Sequence, residues 1–107
     1  MTTFDDREKA FENKFKRDQE LQFKVKARRN KLLGQWAASK AGLTGEAADK
    51  YAKDVVAADF EKPGDDDVVQ KVVKDLSAKG TKVSEADVRR EMGRLEAEAK
   101  RQIMESA

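Results

Sequence analysis

Apolar positions along the chain recur at intervals of three and four, and Gly42, Pro63-Gly64 and Gly80 cut that pattern into four segments. Each segment predicts an amphipathic helix. The second begins at Thr44 and carries Ala48, Tyr51, Ala52, Val55 and Val56 on one face. It should end near Phe60, because Pro63 cannot continue a helix and disfavours helical backbone at Lys62. The third opens with Asp65-Asp66-Asp67, buries Val68, Val69, Val72, Val73 and Leu76, and stops at Gly80. In the fourth, Ser84 and Asp87 form a capping box and Val83 can staple to Val88. Val88, Met92, Leu95, Ala99 and Ile103 then make one stripe. The valine pairs of the third segment also fit a strand. Their three-and-four spacing and acidic start favour helix, and no two-residue hairpin turn occurs. The expected fold class is all-α, a four-helix bundle with a long first helix.

The first segment runs from about Thr3 to Lys40, with Thr3 as cap and Asp6 closing a capping box. Unbroken, it would be on the order of 55 Å long, more than so small a domain covers. It carries two stripes. With Phe4 at 0° on an ideal helix, Phe11 and Phe15 fall at about 340° and 20°. Leu21, Val25, Leu32 and Trp36 average about 290°, a rotation of about 70°. Asp18 and Gln22 interrupt the seam. The second stripe, flanked by Leu33 and Ala37, is assigned to the bundle. The phenylalanine stripe is expected to project beyond it and to be mobile or disordered in the free chain. The plainer alternative is that these phenylalanines fold back into the core.

Composition narrows the picture. Of 107 residues, 41% are charged and 38% apolar, which suits thin amphipathic helices around a modest core. The net charge of +2 demands neither nucleic acid nor an anionic membrane. There is no cysteine, no apolar run of membrane-spanning length and no apolar signal core at the N-terminus, so the expected location is cytoplasmic.

No catalytic constellation is present. Histidine is absent, so the usual nucleophile–base pairs are missing, and the single glycines make no phosphate loop. Zinc lacks both preferred ligands. The chain is expected to be no enzyme and to need no cofactor. Asp65-Asp66-Asp67 lacks the spaced ligands of a calcium loop and reads as an acidic helix start. Lys24, Lys26, Arg28, Arg29 and Lys31 form a basic run near Phe23; from Lys14 to Lys31, eight basic residues face two acidic ones. The run could meet phosphates or an acidic protein surface, or simply be a solvated face. Trp36 and Tyr51 read as core anchors.

Several stretches together resemble the zeta subunit of alphaproteobacterial F-type ATP synthases. They are Thr3-Phe4-Asp5-Asp6-Arg7-Glu8, Ala10-Phe11-Glu12, Lys14-Phe15, Ala27-Arg28-Arg29-Asn30-Lys31-Leu32-Leu33-Gly34, Trp36-Ala37-Ala38 and Asp59-Phe60-Glu61-Lys62-Pro63-Gly64-Asp65. The resemblance covers the first 65 positions best; the remainder agrees in length and helical pattern. It implies a natural inhibitor subunit. Residues 1–20 would be the N-terminal inhibitory segment and residues 21–107 the four-helix bundle domain. The segment would insert as a helix at the catalytic interface of the ATPase head, between alpha and beta subunits and beside gamma. It would block rotation in the hydrolysis direction and spare synthesis.

On that resemblance, Phe4, Phe11 and Phe15 would be the anchors, with Asp5, Asp6, Arg7, Glu8, Lys14 and Lys16 in polar contacts around them. The expected partner is the catalytic head, without nucleic acid or membrane insertion, at the cytoplasmic face of the inner membrane. The rivals are a nucleic-acid-binding module using the run Lys24–Lys31 and a purely structural assembly subunit.

Overall fold

The computed structural model describes residues 3–62 and 64–106, with side chains from Glu8 onward. Five helices follow one another among these residues: α1 Thr3–Arg17, α2 Gln19–Lys40, α3 Gly45–Glu61, α4 Asp65–Ala78 and α5 Glu85–Ser106. The expected capping box of Thr3 and Asp6 lies outside the described side chains, as does Pro63.

The single long first helix expected from the sequence is divided. Asp18 takes an extended conformation (φ −105°, ψ 104°), and its carboxylate accepts from the backbone N–H groups of Glu20 and Leu21. It thereby caps α2 and ends α1. The longest extent of the molecule is 48 Å, shorter than an unbroken helix would require.

Local signals explain the other boundaries. The Ser84 hydroxyl accepts from the Asp87 N–H at 3.0 Å, and the Asp87 carboxylate accepts from the Ser84 N–H at 3.1 Å. The Ser84 N–H, and after it the Ser84 side chain, hold the Asp87 carboxyl below its ordinary range. Gly80 (φ 81°) ends α4 in a Schellman motif, with Thr81 N–H donating to Leu76 C=O and Gly80 N–H to Ser77 C=O. The α2 end repeats the pattern, with Leu43 N–H on Ala38 C=O and Gly42 N–H on Ser39 C=O. α3 ends at Glu61, with Lys62 extended as expected before Pro63.

α2 through α5 surround one core. Leu33 and Ala37 of α2 meet Val55 of α3, Val68, Val72 and Leu76 of α4, and Val88, Met92 and Leu95 of α5. Of the expected stripes, Ala52 and Val55 of α3, Val68, Val69, Val72 and Leu76 of α4 and Val88, Met92, Leu95 and Ala99 of α5 are buried; Ala48, Tyr51, Val56, Val73 and Ile103 are half-buried, and Met104 is buried at the end of α5. Tyr51 is a core-edge anchor whose hydroxyl donates to Asp75 at 2.9 Å. Burial, then the Asp75 hydrogen bond, pushes its pKa up.

α2 departs from expectation. It lies between α3 and α5, so it buries a wide arc: Val25, Arg29, Asn30, Leu33, Gly34, Ala37 and Ala38. Leu32 and Trp36 sit half-buried at its margin. Gly34 permits close approach of α3, since a Cβ there would lie 2.6 Å from the Ala52 Cα. Because Asp18 is not helical, no single wheel runs through α1 and α2, and the offset between the two expected stripes does not describe the folded chain.

The most consequential correction is Arg29, expected in a solvent-facing basic run. It is 3% exposed. Its guanidinium lies 2.7 Å from Asp65 at the start of α4 and 3.3 Å from Glu96 on α5. It also donates to the side-chain carbonyl of Asn30 at 3.0 and 3.2 Å. A charge this deep persists only when paired and hydrogen-bonded.

The Arg29 hydrogen bond holds the Asp65 carboxyl below its ordinary range. A carboxyl depressed on folding adds stability above its unfolded pKa and loses it as pH falls through the folded value. Arg29→Met should cost about 1–3 kcal/mol near neutral pH. The gap to wild type should narrow as pH falls below the ordinary carboxylate range, read from urea midpoints. A gap independent of pH would show that the pair carries no such linkage.

Candidate functional site

Of the residues that sequence reasoning singled out near the N-terminus, the structure brings together Phe11 and Phe15, on α1 beside its junction with α2. Phe11 and Phe15 stack on α1 with ring centroids 6.4 Å apart and planes at 18°. Both are half-buried, while Glu8, Lys14 and Lys16 are exposed. The backbone of Phe4, Asp5, Asp6 and Arg7 belongs to α1, but their side chains lie outside the described residues.

The described part of the phenylalanine stripe does not project freely. The Lys100 ammonium of α5 stands 4.4 Å from the Phe15 ring centroid and 3.9 Å from the Glu12 carboxylate. Lys100 thus reaches from α5 to the aromatic side of α1.

The bend has its own satisfaction of polar groups. The last carbonyls of a helix lack intrahelical partners. The Gln22 side-chain amide reaches back to the carbonyls of Phe15 at 2.9 Å and Lys16 at 3.2 Å. The Asp18 N–H still donates to the Lys14 carbonyl, and the Gln22 N–H to the Asp18 carbonyl. Lys14, Lys16 and Arg17 stand in the last turn of α1, where cations suit the helix dipole.

Asp18 and Gln22 were visible in the sequence as polar interruptions, though not as a cap and a strap. An aspartate ahead of a first-turn acid, Glu20, is the capping signal that could have placed the break. Glu12 and Lys100 were missed, and no local pattern marks a contact between residues so far apart.

The basic run does not form one continuous outward strip. Lys24 pairs with Glu20 along α2 at 3.6 Å. Lys26 forms an ion pair with Asp59 at 3.5 Å, Arg28 donates to Gln102 at 2.8 Å, and Arg29 is internal. Lys31 alone of the five has no polar partner among the described residues. Asp65 and Asp66 likewise face arginines: Arg29 at 2.7 Å and Arg89 at 2.5 Å. Among the described residues no cluster of three metal-ligating side chains occurs, and no helix is long and apolar enough to cross a membrane.

Comparison with known proteins adds an independent line. The family model described as ATPase inhibitor subunit zeta matches residues 1–102. A structure solved by solution NMR is 47% identical, covers 81% of this chain and 99% of its own, and superposes with a TM-score of 0.71. No curated protein matches the chain.

If Lys100 holds α1, Lys100→Gln removes both the contact over Phe15 and the pair with Glu12. Amide exchange over residues 9–17 should then quicken by about threefold to tenfold, as expected for losing about 1 kcal/mol of local stability. Exchange within α3 and α4 should be unchanged. Unaltered exchange in α1 would remove Lys100 as its tether.

Proposed function

The chain belongs to the ATPase inhibitor subunit zeta family, and from that premise we propose that it restrains ATP hydrolysis by an F-type ATP synthase through insertion of α1. The target is the catalytic interface of the head, between alpha and beta subunits and beside gamma. Residues 1–20 act as the inhibitory segment and residues 21–107 as its carrier. Bound in this way, the protein sits at the cytoplasmic face of the inner membrane without entering it.

One observation carries the proposal: α1 is a separate helix, held to the bundle by contacts that can be exchanged. A contact between a cation and an aromatic ring contributes about 0.5–1 kcal/mol when partly exposed. An exposed ion pair such as Glu12 with Lys100 contributes about 0–1 kcal/mol. A phenylalanine seated in a desolvated crevice contributes about 2 kcal/mol or more. The free-state contacts are therefore weak enough for a subunit interface to replace them.

The chemistry asked of the chain is mechanical. Phe4, Phe11 and Phe15 anchor the wedge. Asp5, Asp6, Arg7, Glu8, Lys14 and Lys16 fix its orientation by charge. No group of this chain acts on nucleotide. A wedge trapped by rotation in one direction and expelled by the other inhibits hydrolysis and spares synthesis.

Phe11→Ala and Phe15→Ala should each weaken inhibition by about 2 kcal/mol, or roughly 30-fold in the concentration for half-inhibition. Titration of ATP hydrolysis by an alphaproteobacterial ATPase head checks this. Undiminished inhibition by both single variants would remove the anchor assignment.

A further inference from the structure

A second surface is left over once the core and α1 are accounted for. Phe23 of α2 and Phe60 of α3 pack together with ring centroids 5.2 Å apart, yet they are 53% and 56% exposed. They are the large hydrophobic residues left exposed among the described residues. Phe60 also lines a groove of about 650 Å³ between α2 and α3. Ala52, Val56 and Ala57 supply its apolar floor, and Lys31 and Lys53 stand on its rim. An apolar patch of this kind marks an interaction surface more often than an accident of folding.

We infer that this groove is a docking surface for an acidic amphipathic helix of the same ATPase head, separate from the insertion of α1. The inference rests on the proposed inhibitory function. Three features select this occupant. The α3 lining recurs at Ala52, Val56 and Phe60, one helical turn apart, opposite Lys31 and Gln35 on α2. Such a trough between two parallel rows accepts the apolar face of a third helix. The rim lysines have no polar partner among the described residues, and they outnumber the one rim carboxylate, Asp49. Acidic side chains flanking the guest's apolar stripe would neutralise them. Finally, Phe23 lies in the second turn of α2, just past the break at Asp18. Phe23 therefore stands within about two helical turns of the point where α1 leaves the bundle.

A single-stranded nucleic acid fits less well. The two rings tilt at 47° against each other at contact distance, leaving no slot for a base between them. The neighbouring cations Lys26 and Arg29 are already engaged with Asp59, Asp65 and Glu96. A groove that clamps the body outside the head would let α1 resist rotation instead of being drawn in or shed with it.

The test titrates ATP hydrolysis by the head with full-length wild type, F23A/F60A, K31E/K53E and F11A/F15A. Both groove variants should raise the half-inhibition concentration about tenfold while leaving maximal inhibition and thermal melting unchanged. F11A/F15A should still co-sediment with the head, and adding F23A/F60A to it should abolish that. Wild type that fails to inhibit would overturn the inhibitory function and this inference with it. Wild-type inhibition with unchanged titrations for both groove variants would overturn the groove alone. Tighter binding by K31E/K53E would overturn the acidic partner. Wild type that binds a single-stranded oligonucleotide through Phe23 and Phe60, with inhibition unaffected by F23A/F60A, would assign the groove to nucleic acid instead.

Discussion

Arg29 lies where three helices meet, and its guanidinium can be buried there because Asp65 and Glu96 both reach it. Removing a charge from water costs several kcal/mol unless its partners are in place. The position of α4 relative to α2 is therefore tied to the Asp65 carboxylate, and that of α5 to Glu96. Hydrophobic packing of valines and leucines would tolerate small slides between these helices, whereas a bonded guanidinium tolerates few. Asn30 adds a cost of its own, because its side-chain N–H group is fully buried without a hydrogen-bond partner. An unsatisfied donor of this kind costs about 1–3 kcal/mol. The bundle keeps this polar pair at its centre despite the cost, which fits a role in fixing one arrangement of helices.

A rigid carrier gives a separable helix its use. The contrast between the two halves of the chain is one of interaction strength. α2 to α5 share a buried core, whereas α1 rests on stacked half-buried phenylalanines and an ammonium group. Asp18 and Gln22 satisfy the backbone on either side of the bend, so α1 can keep its helix without being continuous with α2. A preformed helix loses less conformational entropy on entering a crevice than a disordered segment does. Its aromatic face is met by Lys100 in the free chain, so on the proposed mechanism a subunit crevice would compete with Lys100 for the same stripe.

What could be read from the sequence follows the range of the interactions. Gly80 and the Ser84–Asp87 box act within one helical turn, and the boundaries they predict are the ones found. The apolar stripes of α3, α4 and most of α5 were legible because each helix buries one face. The arc of α2 was not, since a helix with neighbours on two sides loses its simple periodicity. Leu32 and Trp36 then looked central when Leu33 and Ala37 are. Arg29 sat among Lys24, Lys26, Arg28 and Lys31, and nothing local told it apart. Its partners Asp65 and Glu96 come from later helices and become neighbours only through folding. The same holds for Lys100 and Phe15. The division at Asp18 stood between these cases: the interruption was visible, but its consequence depended on a side-chain bond to the backbone.

The central claim is that α1 carries inhibition and the bundle presents it. The most direct measurement is the rate of ATP hydrolysis by an alphaproteobacterial ATPase head lacking its own inhibitor subunit, with the full chain and with a chain missing residues 1–19. Inhibition by the full chain and none by the shortened one is the predicted result. Equal inhibition by both would move the inhibitory site to the bundle and contradict the claim. Absence of inhibition by either would contradict the function itself.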